Sequence, residues 1–199
     1  MKKEILFLLL DEWSDWEASY LSMGINILSK GNYCVKTLGI NKESAKSIGN
    51  FKVLLDYNLL NIPKDYEALI LIGGMNWRLN EYNEIKEIIK DCVKNKKILG
   101  AICDAVGFLG TTGILNNINH TGNNLQSIKE FPKSEYNGES HYIYEMAVCD
   151  NKIITANGTA SLEFAKKILL ELEGISPEEV EKWYQFHKLG CYIANIPVF

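Results

Sequence analysis

Apolar and polar positions alternate along this chain in two rhythms. Unbroken apolar runs at residues 5–10, 68–72 and 98–102 have the composition of strands covered on both faces. Between them, apolar residues recur at helical spacing. One set is Trp16, Tyr20, Met23 and Ile27, closed by Gly31 after Lys30; another is Ile85, Ile88, Ile89, Cys92 and Val93, with lysines and acids opposite. Residues 33–40 and 51–55 read as further strands, and residues 105–112 and 160–172 as helices. Residues 142–149 and 152–155, joined at Asp150-Asn151, read as a hairpin. Ser176-Pro177-Glu178-Glu179 is a capping box with proline at the first helical position, so a last helix starts there. Residues 116–139 are polar and weakly patterned.

No repeat, linker or low-complexity tract divides the chain, and residues 1–199 read as one domain. The strand–helix rhythm predicts an α/β three-layer sandwich with a mainly parallel central sheet, flavodoxin-like, with right-handed crossovers. In such sheets ligands bind at the carboxyl ends of the strands. Three chain segments reach that edge with unusual residues: those after Leu10, Ile72 and Ile102.

Composition narrows the function classes. With 199 residues, 47% of them hydrophobic and 23% charged, the chain is ordinary globular material. A net charge of −4 leaves no basic stripe, which speaks against nucleic-acid binding. The first apolar run ends in Asp11-Glu12 with no small-residue cleavage site, as a buried strand does and a signal peptide does not. No run approaches the ~18 apolar residues of a membrane helix. Cys34, Cys92, Cys103, Cys149 and Cys191 are odd in number and lack C-x-x-C spacing, so free thiols are expected, with no structural zinc. His120, His141 and His187 are scattered without ligand spacing. A cytoplasmic protein without metal or cofactor is the expectation.

The sharpest chemistry lies at Gly100-Ala101-Ile102-Cys103-Asp104-Ala105. A thiol where a buried strand turns into a helix meets unpaired N–H groups and the positive end of the macrodipole, both of which favour a thiolate. The flanking small residues suit a tight elbow. Cys34, Cys92 and Cys149 fall in apolar patterns and read as core. Gly73-Gly74 serves either as a plain turn or, with the Asp104 N–H, as an oxyanion hole beside the sulfur. Glu17, in the acidic stretch 11–17, reads from spacing either as a helix-start charge or as a catalytic acid. His120, in the segment after the elbow helix, is a candidate for the site. The apolar tail 191–199 could cover the core or a partner.

These residues resemble the ThiJ/PfpI superfamily, which is related to class I glutamine amidotransferase domains. The resemblance rests on residues 5–10 followed by Glu17, on Leu71-Ile72-Gly73-Gly74 and on Ala101-Ile102-Cys103. It extends through Gly113-Ile114-Leu115 before Thr121, and Thr155-Ala156-Asn157-Gly158 leading into Leu162-Glu163-Phe164-Ala165, covering about residues 4–172. The resemblance implies Cys103 as nucleophile and Glu17 as a protonated acid bonded to its thiolate. It also implies Gly74 and the Asp104 backbone as oxyanion donors, a small carbonyl or amide substrate, and a homodimer. Many protease-like members carry histidine directly after the cysteine; Asp104 stands there in this chain. The implied activities are cysteine-dependent hydrolase, glyoxalase or deglycase chemistry. The rival reading is a redox-stress sensor or chaperone-like protein acting through oxidation of Cys103.

Overall fold

A computed structural model describes residues 2–40, 43–80 and 82–194. In chain order its elements are β1 (Lys3–Leu8), α1 (Asp15–Leu28), β2 (Tyr33–Gly39), β3 (Ser44–Lys46), β4 (Lys52–Leu54), β5 (Tyr57–Asn58), β6 (Tyr66–Leu71) and α2 (Asn83–Lys94). There follow β7 (Ile98–Ile102), α3 (Asp104–Gly110), α4 (Leu125–Lys129), β8 (Ala147–Asp150), β9 (Ile153–Ala156), α5 (Ser161–Glu171) and α6 (Pro177–Leu189). Seven strands form one sheet in the order β5-β2-β1-β6-β7-β9-β8, parallel except for β8 against β9.

Alternation along β1 shows why the central strands are apolar throughout. Ile5 and Phe7 pack with Leu21 and Ile25 of α1, Phe164 and Ile168 of α5, and Trp183 of α6. Leu6 and Leu8 face the other way, with Ile85 and Ile89 of α2 and Ala105 and Phe108 of α3. Two cores separated by a sheet make three layers, as the periodicity predicts. Gly100 in β7 lets α5 approach closely: a Cβ there would lie 2.9 Å from the Phe164 ring and 3.0 Å from Ile168.

Several expectations need correction. Leu9 and Leu10 have left the β1 ladder but stay buried, because the chain turns over the sheet edge before surfacing. The expected strand 51–55 shrinks to β4, which pairs with β3 in a separate hairpin; Asp11 and Asp15 fasten that hairpin by accepting the Lys46 and Gly49 N–H groups. Of the expected strand 142–149 only 147–149 is in a strand, β8, which runs on to Asp150. Tyr142 instead bridges to His120 and donates its hydroxyl to the Gly122 carbonyl. Cys92 is core, whereas Cys34 and Cys149 are only half-buried, on strands toward the two sheet edges. Ser176 caps α6 as its motif predicts, accepting from the Glu179 N–H. Residues 195–199 of the apolar tail lie outside the described residues. No helix among the described residues is long and apolar enough to cross a membrane.

Phe164 is fully buried between α5 and the sheet. Phe164→Ala should lower unfolding stability by about 3–5 kcal/mol, read as a fall in denaturation midpoint with unchanged slope.

Candidate active site

Cys103 is the hinge between β7 and α3. Its backbone sits at φ 62°, ψ −129°, a region L-residues rarely occupy, and neighbours hold it there from both sides. The N–H donates to the Ala156 carbonyl at the end of β9 (3.0 Å), and the carbonyl accepts from Val106 in α3 (3.1 Å). The elbow turns the side chain toward the carboxyl edge, where it is half-buried.

Glu17 enters from the first turn of α1 and is completely buried. Its Oε2 accepts the Gly73 N–H at 2.8 Å, while Oε1 has no hydrogen-bond partner of ordinary geometry. Two glycines clear space around the carboxyl and the sulfur. A Cβ on Gly73 would overlap Glu17 Oε2 and lie 2.6 Å from the Cys103 Cβ. A Cβ on Gly158 would stand 2.8 Å from Sγ and 3.2 Å from Glu17 Oε1.

Burial dominates the electrostatics. It pushes the Glu17 carboxyl up to about 7, although hydrogen bonding from the thiol and from the Gly73 N–H pulls the other way. It also pushes the Cys103 thiol up, to about 11, and the negative charge of Glu17 adds to the rise. The expectation that a helix start alone holds a free thiolate is therefore corrected. The seven-residue α3 offers the sulfur one favourable backbone N–H, from Asp104, and burial outweighs it. Between the two midpoints the pair retains one proton, so thiolate with carboxylic acid and thiol with carboxylate are two placements of it.

Gly73 and Gly74 do different jobs. The Gly73 N–H is committed to Glu17, so this residue positions the acid rather than donating to substrate. Gly74 has φ +153°, and a Cβ there would overlap the Glu12 carbonyl, because the 12–14 loop bridges directly to it. The Asp104 carboxylate is held in a forked ion pair with Arg78 (2.7–3.1 Å). Of the tryptophans within the acidic stretch 11–17, Trp13 is buried, whereas Trp16 is half-exposed and donates Nε1–H to the Gly158 carbonyl at 2.8 Å.

His120 is not brought to the sulfur. Its Nδ1 pairs with the Ile118 carbonyl and its Nε2 with the Tyr136 hydroxyl, both at 2.8 Å, and burial pushes its basicity down. The same segment supplies Asn123 instead, which donates Nδ2–H to Cys103 Sγ (3.4 Å) and accepts the Gly158 N–H on Oδ1 (2.8 Å). Asn123 carried no sequence signal beyond its place in a polar run. A cavity of about 410 Å³ opens on the same edge, lined by Leu10, Ile40, Ala45, Leu55, Asn76 and Tyr82 among others, but neither Cys103 nor Glu17 lines it. Among the described residues no group of three His, Cys, Asp or Glu side chains is placed to hold a metal.

Fold and site together define a flavodoxin-like α/β protein with a cysteine on a strand-to-helix elbow beside a buried acid. The sequence pattern of the DJ-1/PfpI family matches residues 3–171. The Bacillus subtilis (strain 168) protein called uncharacterized protease YdeA is 35% identical over 190 residues, covering 96% of this chain and 93% of its own. The glutathione-independent glyoxalase DJR-1.2 of Caenorhabditis elegans is 27% identical, covering 75% and 78%. The crystal structure of the DJ-1 superfamily protein Atu0886 from Agrobacterium tumefaciens superposes with a TM-score of 0.84 at 30% identity, covering 94% of this chain and 98% of its own. The chain belongs to the DJ-1/PfpI family.

A carboxyl raised from 4.5 to about 7 by folding binds its proton more tightly in the native state. The stability this lends is complete below pH 4.5 and is lost as pH rises through 7. Glu17→Gln should remove that slope, gaining on wild type by roughly 3 kcal/mol between pH 4.5 and pH 8; denaturation at several pH values measures it.

Proposed function

We propose that this protein is a cysteine-dependent enzyme of hydrolase, glyoxalase or deglycase type acting on a small carbonyl or amide compound. The observation that carries the reading is the Cys103 sulfur on a strained elbow against a fully buried carboxyl with one unpartnered oxygen. Orphaned buried acceptors are rare in folded proteins. Here the orphan supplies a resting place for the thiol proton.

In the proposed reaction the ionised Glu17 accepts the proton of Cys103 as the sulfur attacks the substrate carbonyl carbon. The C–S bond forms while the carbonyl π pair moves to oxygen, giving a tetrahedral oxyanion. The N–H groups of Gly74 and Asp104 are the proposed donors to that oxyanion. Glu17 then returns its proton to the oxyanion of a carbonyl adduct; with an amide, the oxyanion collapses, the C–N bond breaks as Glu17 protonates the departing nitrogen, and water hydrolyses the thioester left on Cys103, restoring the thiol. A carboxyl poised at about 7 is suited to both directions of transfer near neutral pH. Asn123 bonds the sulfur and fixes its direction of approach.

The relatives' names divide between protease and glyoxalase. Asp104, where protease-like members carry histidine, favours a small carbonyl over a peptide, since no Cys–His pair is available. Redox sensing is the weaker reading, because oxidants react with thiolates and burial keeps the proton on the pair. A small-molecule substrate, action in the cytoplasm and a homodimeric assembly belong to the same proposal.

Cys103→Ser should abolish turnover across a panel of 2-oxoaldehydes, glycated amines and small amides; retained turnover would refute the mechanism. In wild type kcat/KM should rise with pH through about 7 as Glu17 ionises. Glu17→Gln should lower kcat/KM by about 10²–10⁴-fold and flatten the rise.

A further inference from the structure

Arg78 lies in the loop after β6, beside a fully buried tryptophan. Trp77 donates Nε1–H to the Ile72 carbonyl at 2.8 Å, and its ring packs 5.0 Å from that of Phe108. The backbone carrying Arg78 is therefore anchored before its side chain makes any contact. The guanidinium then binds three partners, one at the start of α3 and two in α4 and the turn after it. Nε reaches both Asp104 oxygens (2.9 and 3.1 Å), and Nη2 reaches one of them at 2.7 Å. Nη2 also donates to the Ser127 carbonyl in α4 at 3.3 Å, and the cation stacks 4.7 Å over the Phe131 ring. A planar fork suits this set, and a lysine ammonium could not reproduce it.

We propose that Arg78 is a positioning residue of the Cys103 site. It folds the Asp104 carboxylate away from the sulfur and ties the segment bearing Asn123 to the Gly73-Gly74 loop. The inference rests on reading Cys103 as the reacting group. Asp104 directly follows the cysteine and holds its N–H toward the sulfur, so the helix start that serves Cys103 also carries a carboxylate. Glu17 from α1 is the titratable neighbour of the sulfur, while Asn123 and Gly158 bring only neutral groups. Even when paired, Asp104 acts on Glu17 through its charge. Released from Arg78, a second carboxylate would confront a site that must carry one negative charge, and proton transfer off the sulfur would be opposed. The same release would loosen α4, whose first turn is capped by Asn124 immediately after Asn123.

The test is the pH dependence of iodoacetamide alkylation at Cys103, followed by mass spectrometry of the peptide containing it. Wild type, Arg78→Gln, Asp104→Asn and the double variant are compared. In Arg78→Gln the alkylation midpoint should move up by about half a pH unit or more, a roughly threefold slower reaction at a fixed pH below it. In Arg78→Gln/Asp104→Asn the midpoint should return to the wild-type position, which a loss of packing alone would not produce. An unmoved midpoint in Arg78→Gln overturns the proposal, as does a displacement that Asp104→Asn fails to reverse. If Arg78→Gln does not fold, Arg78→Lys replaces it, with the same direction, smaller amplitude and the same required rescue. Turnover by Cys103→Ser is read separately on substrate, so failure of the catalytic reading leaves the alkylation comparison interpretable.

Discussion

A carboxyl group buried from bulk solvent, set beside a sulfur, is the constraint on which this site depends. Glu17 is completely buried; one of its oxygens is held by the Gly73 N–H and the other has no hydrogen-bond partner of ordinary geometry. An ionised carboxylate in that position is costly, and the protein lowers the cost by keeping a proton within reach. Cys103 is where that proton can go and come from. Neither group has its ordinary acidity: burial raises both, the charge of Glu17 adds to the rise at Cys103, and the hydrogen bond from the thiol opposes the rise at Glu17.

The rest of the fold reads as support for that pair. Parallel β1, β6 and β7 end at one edge, so α1, the Gly73-Gly74 loop and the elbow converge from separate parts of the chain. Gly73 and Gly158 are glycines because a Cβ at either would occupy the space of the carboxyl or the sulfur. The positive φ of Cys103 persists because β9 and α3 hold its N–H and carbonyl. A strained residue fixed from both sides is what preorganised chemistry requires. Asn123, Gly158 and Trp16 close the opposite side in a chain of hydrogen bonds that ends on a half-exposed indole.

Much of this was legible before any coordinates. The buried strands, the helix periods and the capping box at Ser176 carry local signals strong enough to survive packing, and the elbow around Cys103 has a compositional signature. Their register along the sheet did not show, because Leu9 and Leu10 are as apolar as the strand they leave. Residues 142–146 look like strand but bend to serve the 120–122 loop, a tertiary demand that overrides propensity. In the site, Glu17 and Cys103 were visible. Asn123 and Arg78 were not, since one polar residue in a polar loop and one arginine after a turn have no periodicity to betray them. Burial at Cys103 outweighs the helix start for a related reason: the macrodipole is a local feature, whereas burial belongs to the whole assembled edge.

The most direct measurement is carbon NMR of the side-chain carboxyl groups in uniformly glutamate-labelled protein, titrated from acid to alkaline pH, with Glu17→Gln supplying the assignment. One resonance should titrate at about 7 and vanish in the variant. If the Glu17 resonance instead titrates in the ordinary glutamate range, near 4.3, the carboxyl holds no proton at neutral pH and the shared-proton account of Cys103 is wrong.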